Sequence, residues 1–243
     1  MISIVIPVHN ESGNISCLVK GIVDVLSVSS FSYEIIVVDD ASTDDTLVVL
    51  ENLMSYYDEL RVLSHKNNCG QSTALYSGIK AAKEDIIITM DGDGQNDPSD
   101  IPFMVNSLLN SDNEKLKMVA GHRVKRNDSK WRKFSSQIAN KVRCSFLNDD
   151  TPDTGCGLKV FYRDIFLCMP YFDHMHRFLP ALVKRQGYDV ESVPVNHFER
   201  RTGSSHYGTI DRLMSGIVDL LGVFWLNRRA CLPLISECER DER

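Results

Sequence analysis

The stretch ITMDGDGQNDPSD, residues 88–100, sets Asp91, Asp93, Asp97 and Asp100 directly behind an apolar run. Carboxylates this close repel one another unless something positive sits between them. Asp91 and Asp93 are separated by one glycine and could share a hard cation through oxygen. Mg2+ or Mn2+ suits such a ligand set and keeps water or phosphate as its remaining ligands. The plainer alternative is a solvated turn that also caps the helix after Pro98. Asp97, beside that proline, has the position of a cap.

These acids need strands to carry them. ISIVIPV, YEIIVVDD, LRVLSH and DIIITMD are short apolar runs, as expected for strands buried on both faces. Between them lie NESGNISCLVKGIVDVL, STDDTLVVLENLMSYY and GQSTALYSGIKAAK, which read as helices. In the first of these, Ile15, Leu18, Val19, Ile22 and Val25 share a face. Strand and helix alternate at the βαβ period, so a parallel sheet covered on both faces is expected. Ligands of such sheets sit beyond the carboxyl ends of the strands. Glu11 follows the first strand, Asp39 and Asp40 the second, Asp91 and Asp93 the fourth. That placement raises the metal reading over the solvated turn.

Past Pro98 the pattern predicts a helix with Ile101, Met104, Val105 and Leu108 toward the core, then a strand at KMVAGHR. A basic amphipathic helix follows at SKWRKFSSQIANKVRCSFL, a strand in GCGLKVFYR, and a helix in HRFLPALVKRQG stopped by glycine. YDVESVPV is strand-like, FERRTGSSHYG a polar loop, and TIDRLMSGIVDLLGVFWLNRR a last helix.

The chain has 243 residues, enough for one large domain or two small ones. A formal net charge of -6 gives no general affinity for nucleic acid. The seven cysteines are odd in number and form no CxxC pair, which argues against a disulfide framework or a zinc site and for a reducing compartment. The opening ISIVIPV reads as a strand rather than a signal peptide. No run approaches the apolar length that spans a bilayer. HNESGN stands where a dinucleotide site needs GxGxxG, and GxxxxGK[ST] is absent, so NAD and Walker-type chemistry are not expected.

IVIPVHNESGNI, VVDDASTDDT, NNCGQSTALYSGI and DGDGQNDP occur in that order and resemble the family-2 glycosyltransferases of the GT-A fold. DTGCGLKVFYRD, FDHMHRFLPALVKRQGYDV, PVNHFERRTGSSHYG and DLLGVFWLNRR are similar to the polyprenyl-phosphate, dolichol-phosphate mannosyltransferase-like group. The resemblance implies an α/β chain of GT-A fold, with a Rossmann-like, mostly parallel central sheet and helices on both faces. It implies one domain over 1–229, a nucleotide-sugar half at 1–122, an acceptor half at 123–229 and a charged tail at 230–243.

Residue by residue, the resemblance places Pro7, Glu11, Asp39 and Asp40 around the nucleoside of a UDP- or GDP-linked sugar. Asp91 and Asp93 would meet Mg2+ or Mn2+ and the diphosphate, with Gln95 in the same site. Arg200, Gly203, Ser205 and Tyr207 match a loop that closes on the diphosphate. Arg123, Arg132 and Ser136 match the region that receives the acceptor phosphate; His176, Arg177 and Phe178 match a segment near sugar and acceptor. Three positions depart from the pattern: His9 stands for tyrosine, His206 for lysine and Gly94 for leucine.

The implied reaction is inverting transfer of the sugar to undecaprenyl or dolichyl phosphate, giving a lipid-linked sugar monophosphate for cell-envelope glycan or lipid A modification. The alternative is a GT-A enzyme acting on a glycan or a lipid-A-like acceptor. Lipid substrates imply peripheral contact with the cytoplasmic face of a membrane, with a homo-oligomer or membrane protein partner as further options. The last helix offers a stripe of Ile210, Leu213, Met214, Ile217, Leu221 and Phe224, closed by Trp225, Arg228 and Arg229. Packing against the sheet or another subunit explains that stripe equally well.

Overall fold

A computed structural model describes residues 1–123, 143, 144, 146, 147, 149–198 and 209–231, with backbone alone for 209–215. The elements are β1 (Ile2–Val8), α1 (Ile15–Leu26), β2 (Tyr33–Asp39), α2 (Thr46–Met54), β3 (Leu60–Ser64), α3 (Gln71–Ala81), β4 (Ile86–Thr89), α4 (Ile101–Leu109), β5 (Leu116–Arg123), β6 (Lys159–Tyr162), α5 (Arg163–Leu167), α6 (Leu179–Arg185), β7 (Asp189–Val195) and α7 (Thr209–Arg228). Short 3-10 turns span Pro98–Asp100 and Met175–Arg177.

Seven strands form one sheet in the order β3-β2-β1-β4-β6-β5-β7. β1 pairs in parallel with β2 and β4, and β2 with β3. β6 runs antiparallel between β4 and β5, and β7 returns parallel to β5. The sheet is therefore mixed but mostly parallel.

The apolar runs are continuous because both faces are covered. Successive residues of β1 point to opposite layers: Ile4 and Ile6 join one core, Val5 the other. The first layer is closed by α1, whose Ile15, Leu18, Val19, Ile22 and Leu26 are buried. Each such side chain contributes about 1.5–3 kcal/mol when fully buried. Leu26, rather than the expected Val25, completes that face; it follows Ile15 by three full turns. Ala74, Leu75 and Ile79 of α3 close the second layer. The predicted core face of α4 is the buried one, Ile101, Met104, Val105 and Leu108. Asp97 caps the turn ahead of it, accepting from the Ser99 amide at 3.0 Å.

Chain order reverses at β1, with β2 and β3 on one side and β4 on the other. The loops after β1 and β4 part there and open a crevice.

The face of α7 differs from the sequence-based stripe. Ile217 and Leu221 are 47% and 54% exposed, while Val223 is buried and Leu220, Phe224 and Leu226 pack beside it. Two polar anchors set the rotation: His174 Nδ1 lies 2.9 Å from Asp219 Oδ2, and Arg185 donates to the Leu226 carbonyl at 3.2 Å. The basic amphipathic stretch predicted before residue 148 falls mostly outside the described residues.

Candidate active site

The loops after β1 and β2 are built as a pair. Asn10 and Ala41 both adopt left-handed backbone, at φ 57° and 56°. Such residues are costly and concentrate at binding loops. The Asn10 side-chain oxygen accepts from the Thr43 amide at 2.7 Å, latching one loop to the other. His9 Nδ1 donates to the Asp40 carbonyl at 2.9 Å. Glu11 accepts from Asn14 at 2.6 Å, and Pro7 pairs with Val38 inside the sheet.

Asp39 and Asp40 end β2 with different duties. Asp39 accepts from the Ser42 amide and the Ser64 hydroxyl, each at 3.3 Å. Asp40 is more heavily engaged. Its carboxylate accepts from the amides of Cys69 at 2.9 Å and Gly70 at 2.7 Å, and His65 Nδ1 lies at 2.7 Å. Asp40 thus fixes the start of α3, a structural task that the paired-acid pattern alone did not reveal.

β4 delivers Asp91 into the crevice. Gly92 must lack a side chain because the chain approaches β1 there: a Cβ would lie 2.5 Å from Val8 Cγ1. Close approach, not turning, is what this glycine permits. Gly94 stands at φ +71°, where leucine would be strained. Asp93 Oδ1 accepts from the Gln95 amide at 3.2 Å. The Gln95 side chain donates to the Phe198 carbonyl at 3.2 Å, and the Phe198 amide returns a bond to Gln95 at 2.8 Å. The acidic loop is thereby strapped to the chain that follows β7.

Asp91 is covered from behind by Gly157. A Cβ on that glycine would lie 2.2 Å from the Asp91 carboxyl carbon. Gln71 donates to Asp91 Oδ1 at 2.9 Å. Burial and then the charge of Asp93 push the Asp91 carboxyl up to about 6, against the pull of Lys159, Arg123 and Gln71. A buried carboxylate whose proton affinity is raised, with a second carboxylate two residues on, fits a divalent cation. Asp91 and Asp93 are the residues that would hold it.

A pocket of about 420 Å³ opens beside Asp91. Arg123, at the end of β5, lines it and is clamped by Asp153: Nε to Oδ2 at 2.6 Å and Nη2 to Oδ1 at 2.7 Å. This bidentate pair outweighs burial, which acts the other way, and raises the guanidinium's proton affinity further. Lys159 and Arg177 add positive charge. His176 is held to about 3, by burial first and then by the charges of Arg177, Lys159 and His174, so its imidazole is neutral. Ser72 Oγ lies 2.7 Å from His176 Nδ1 and accepts from the His176 amide at 3.3 Å. The contact ties the neutral ring to the start of α3.

The structure thus brings Asp91, Arg123, His176 and Arg177 around one pocket, with Asp93 and Gln95 on the loop at its edge. Arg132, Ser136, Arg200, Ser205 and Tyr207, with Gly203 and His206, lie outside the described residues. Sequence reasoning missed Gln71, Ser72 and Lys159. Gln71 and Ser72 open a helix 20 and 19 residues ahead of Asp91, and only the sheet's crossover brings them near.

The pattern of glycosyl transferase family 2 matches residues 3–169, well over half of the chain. The chain belongs to glycosyl transferase family 2. Among curated proteins it is 35% identical, over 239 residues, to a dodecaprenyl-phosphate galacturonate synthase of Rhizobium johnstonii, covering 96% of this chain and 69% of the relative. It is 31% identical, over 222 residues, to an undecaprenyl-phosphate 4-deoxy-4-formamido-L-arabinose transferase of Yersinia pestis, covering 90% and 66%. The chain thus spans about two thirds of these relatives. Among solved structures, a mannosyltransferase from Pyrobaculum calidifontis in complex with GDP-Man and Mn2+ superposes with TM-score 0.68 at 19% identity, covering 96% of this chain and 65% of that one. This family-2 glycosyltransferase has the GT-A fold that the sequence resemblance implied.

Proposed function

We propose that this glycosyltransferase moves a sugar from a UDP- or GDP-linked donor to polyprenyl phosphate with inversion at the anomeric carbon. One arrangement carries the reading: a carboxylate pair suited to a divalent cation adjoins a pocket lined by Arg123, Lys159 and Arg177. A cation seat beside an anion seat is what joining a nucleoside diphosphate leaving group to a phosphate nucleophile requires. The relatives named above both carry a polyprenyl phosphate in their names.

The chemistry asks little of a base. A phosphate oxygen of the acceptor is ionised near neutral pH and attacks the anomeric carbon as the nucleoside diphosphate departs. Asp91 and Asp93 would hold Mg2+ or Mn2+, which supplies Lewis-acid stabilisation of the leaving diphosphate when bound. Asp153 holds Arg123 so that its remaining N–H groups meet the acceptor side in a fixed orientation. Neutral His176 adds a polar ring to the pocket without another charge. Arg132 and Ser136 would complete the acceptor phosphate site, and Arg200, Ser205 and Tyr207 a lid on the diphosphate.

Among the described residues no helix is long and apolar enough to cross a membrane. The acceptor's lipid would be met at the cytoplasmic face of a bilayer by the exposed side of α7, where Ile217, Val218, Leu221 and Trp225 stand out and Arg228 and Arg229 close the helix. The product would be a lipid-linked sugar monophosphate for cell-envelope glycan or lipid A modification. The test is a screen of nucleotide sugars against short polyprenyl phosphates with Mg2+ or Mn2+, the product being weighed by mass spectrometry. A sugar monophosphate lipid is expected. Transfer to glycan or lipid A acceptors, with polyprenyl phosphate untouched, would sink the reading.

A further inference from the structure

The pocket beside Asp91 ends on a lysine. Lys159 opens β6 opposite Thr89 of β4 and is only 4% exposed. An ammonium has three donors. Here one protein acceptor meets it, the Cys156 carbonyl. Burial lowers its proton affinity, while Cys156, Asp91 and Asp153 act against that through space; among the described residues no carboxylate forms an ion pair with it. A charge buried with so few partners is costly to keep unless an anion completes its shell.

Its neighbours are otherwise engaged. Asp153 clamps the fork of Arg123. His176 is tied to Ser72. The pocket is lined by Asp91 but not by Asp93 or Gln95, whose loop is strapped to Phe198. Lys159 and Asp91 line the same pocket, and Gly157 covers Asp91 with backbone alone.

We infer that Lys159 seats the terminal phosphate of the acceptor, its two open N–H donors gripping a phosphomonoester oxygen beside Asp91. This rests on the polyprenyl phosphate reading and adds to it a residue that recognises the nucleophile. The donor's diphosphate has oxygens of similar chemistry, so the test must separate the two sources. It must also separate phosphate binding from a role in which Lys159 merely balances the charge of Asp91.

Calorimetry does both. Citronellyl phosphate is titrated into the protein with EDTA and without nucleotide, citronellol serving as the uncharged control; UDP and GDP are titrated separately with Mn2+. For Lys159→Met, affinity for citronellyl phosphate falls about 30-fold, the scale of losing a buried charge-assisted contact. Mn2+–nucleotide affinity changes by no more than about two-fold. Nucleotide affinity falling as far as the prenyl phosphate's would move Lys159 to the donor and overturn the inference. Unchanged citronellyl phosphate affinity would leave only a counter-charge and overturn it as well. Wild-type protein that binds citronellyl phosphate no better than citronellol sinks the acceptor reading, and this inference with it. Should Lys159→Met not fold, wild-type protein labelled with 13C at the lysine ε carbon gives the answer. The Lys159 resonance shifts on adding citronellyl phosphate and not on adding citronellol; a resonance that stays put overturns the inference.

Discussion

The crevice has two sides built on opposite plans. Around β1, β2 and β3 the polar groups satisfy one another: Asp40 takes two amides and an imidazole, and Asn10 latches the paired loops. Around β5 and β6 the charges are buried with fewer partners, and Lys159 has one carbonyl. On the function proposed above, the first side is a finished scaffold against which a nucleoside would dock, and the second would be completed by what it binds. Asp91 stands between them, and its raised proton affinity marks where the two plans meet.

Breaking the scaffold side should damage folding first. Asp40→Ala leaves the half-buried bonds from the Cys69 and Gly70 amides and the His65 ring without their acceptor. It is expected to cost about 3 kcal/mol of stability by urea denaturation. A loss under about 1 kcal/mol would mean that the loop re-satisfies itself and the scaffold is less rigid than described.

Breaking the border should damage binding instead. In Gly157→Ala the added methyl occupies the space of the Asp91 carboxylate. Mn2+ affinity, read by electron paramagnetic resonance, is expected to fall about 10- to 100-fold with the fold intact, as for a displaced ligand. Unchanged affinity would show that Asp91 can move aside freely.

The same border has a pH signature. The folded Asp91 carboxyl sits at about 6, above its ordinary value of 3.8, so the proton competes with the metal below about 6. Mn2+ affinity should hold steady above that pH and fall about tenfold per unit below it. The metal-free protein should respond in the opposite sense. Between the ordinary value and about 6 the folded state holds a proton that the unfolded chain lacks, so the contribution of Asp91 to stability rises as pH falls through about 6. Glu34 contributes with the other sign. Burial pushes its carboxyl up, but the Lys83 amide, the Ser3 hydroxyl and Arg61 together hold it below its ordinary value. Its stabilisation is present above that ordinary value and is lost as pH falls through the lower, folded one.

The two plans also explain what was legible in the sequence. The scaffold side reads along the chain: each strand, its acids and the next helix are contiguous, so ISIVIPVHNE and VVDDASTDD announced the strands and the acids that end them. The other side is assembled across long separations. Ser72 meets His176 from 104 residues away, Arg123 meets Asp153 from 30, and Thr89 pairs with Lys159 across antiparallel strands. Local periodicity carries no signal for such contacts. Arg123 and His176 were named through family resemblance, whereas Lys159 looked like one more strand residue in GCGLKVFYR. The rotation of α7 was not legible either, since His174 and Arg185 anchor it from distant parts of the chain.

That helix offers the smallest effect. Leu221→Ser on its exposed face should change stability by no more than about 0.5 kcal/mol. It should reduce sedimentation with anionic vesicles if the face meets lipid. A large loss of stability would mean that the face is covered by protein.

The central claim is that Asp91 and Asp93 together hold a divalent cation on which nucleotide binding depends. The direct test is calorimetric titration of UDP and GDP, with and without Mn2+, into wild type and Asp93→Asn. The account predicts that Mn2+ strengthens binding of one nucleotide by about 100-fold or more in wild type, and that Asp93→Asn abolishes this gain while its melting temperature is preserved. Equal nucleotide affinity with and without Mn2+ in the wild-type protein would contradict it.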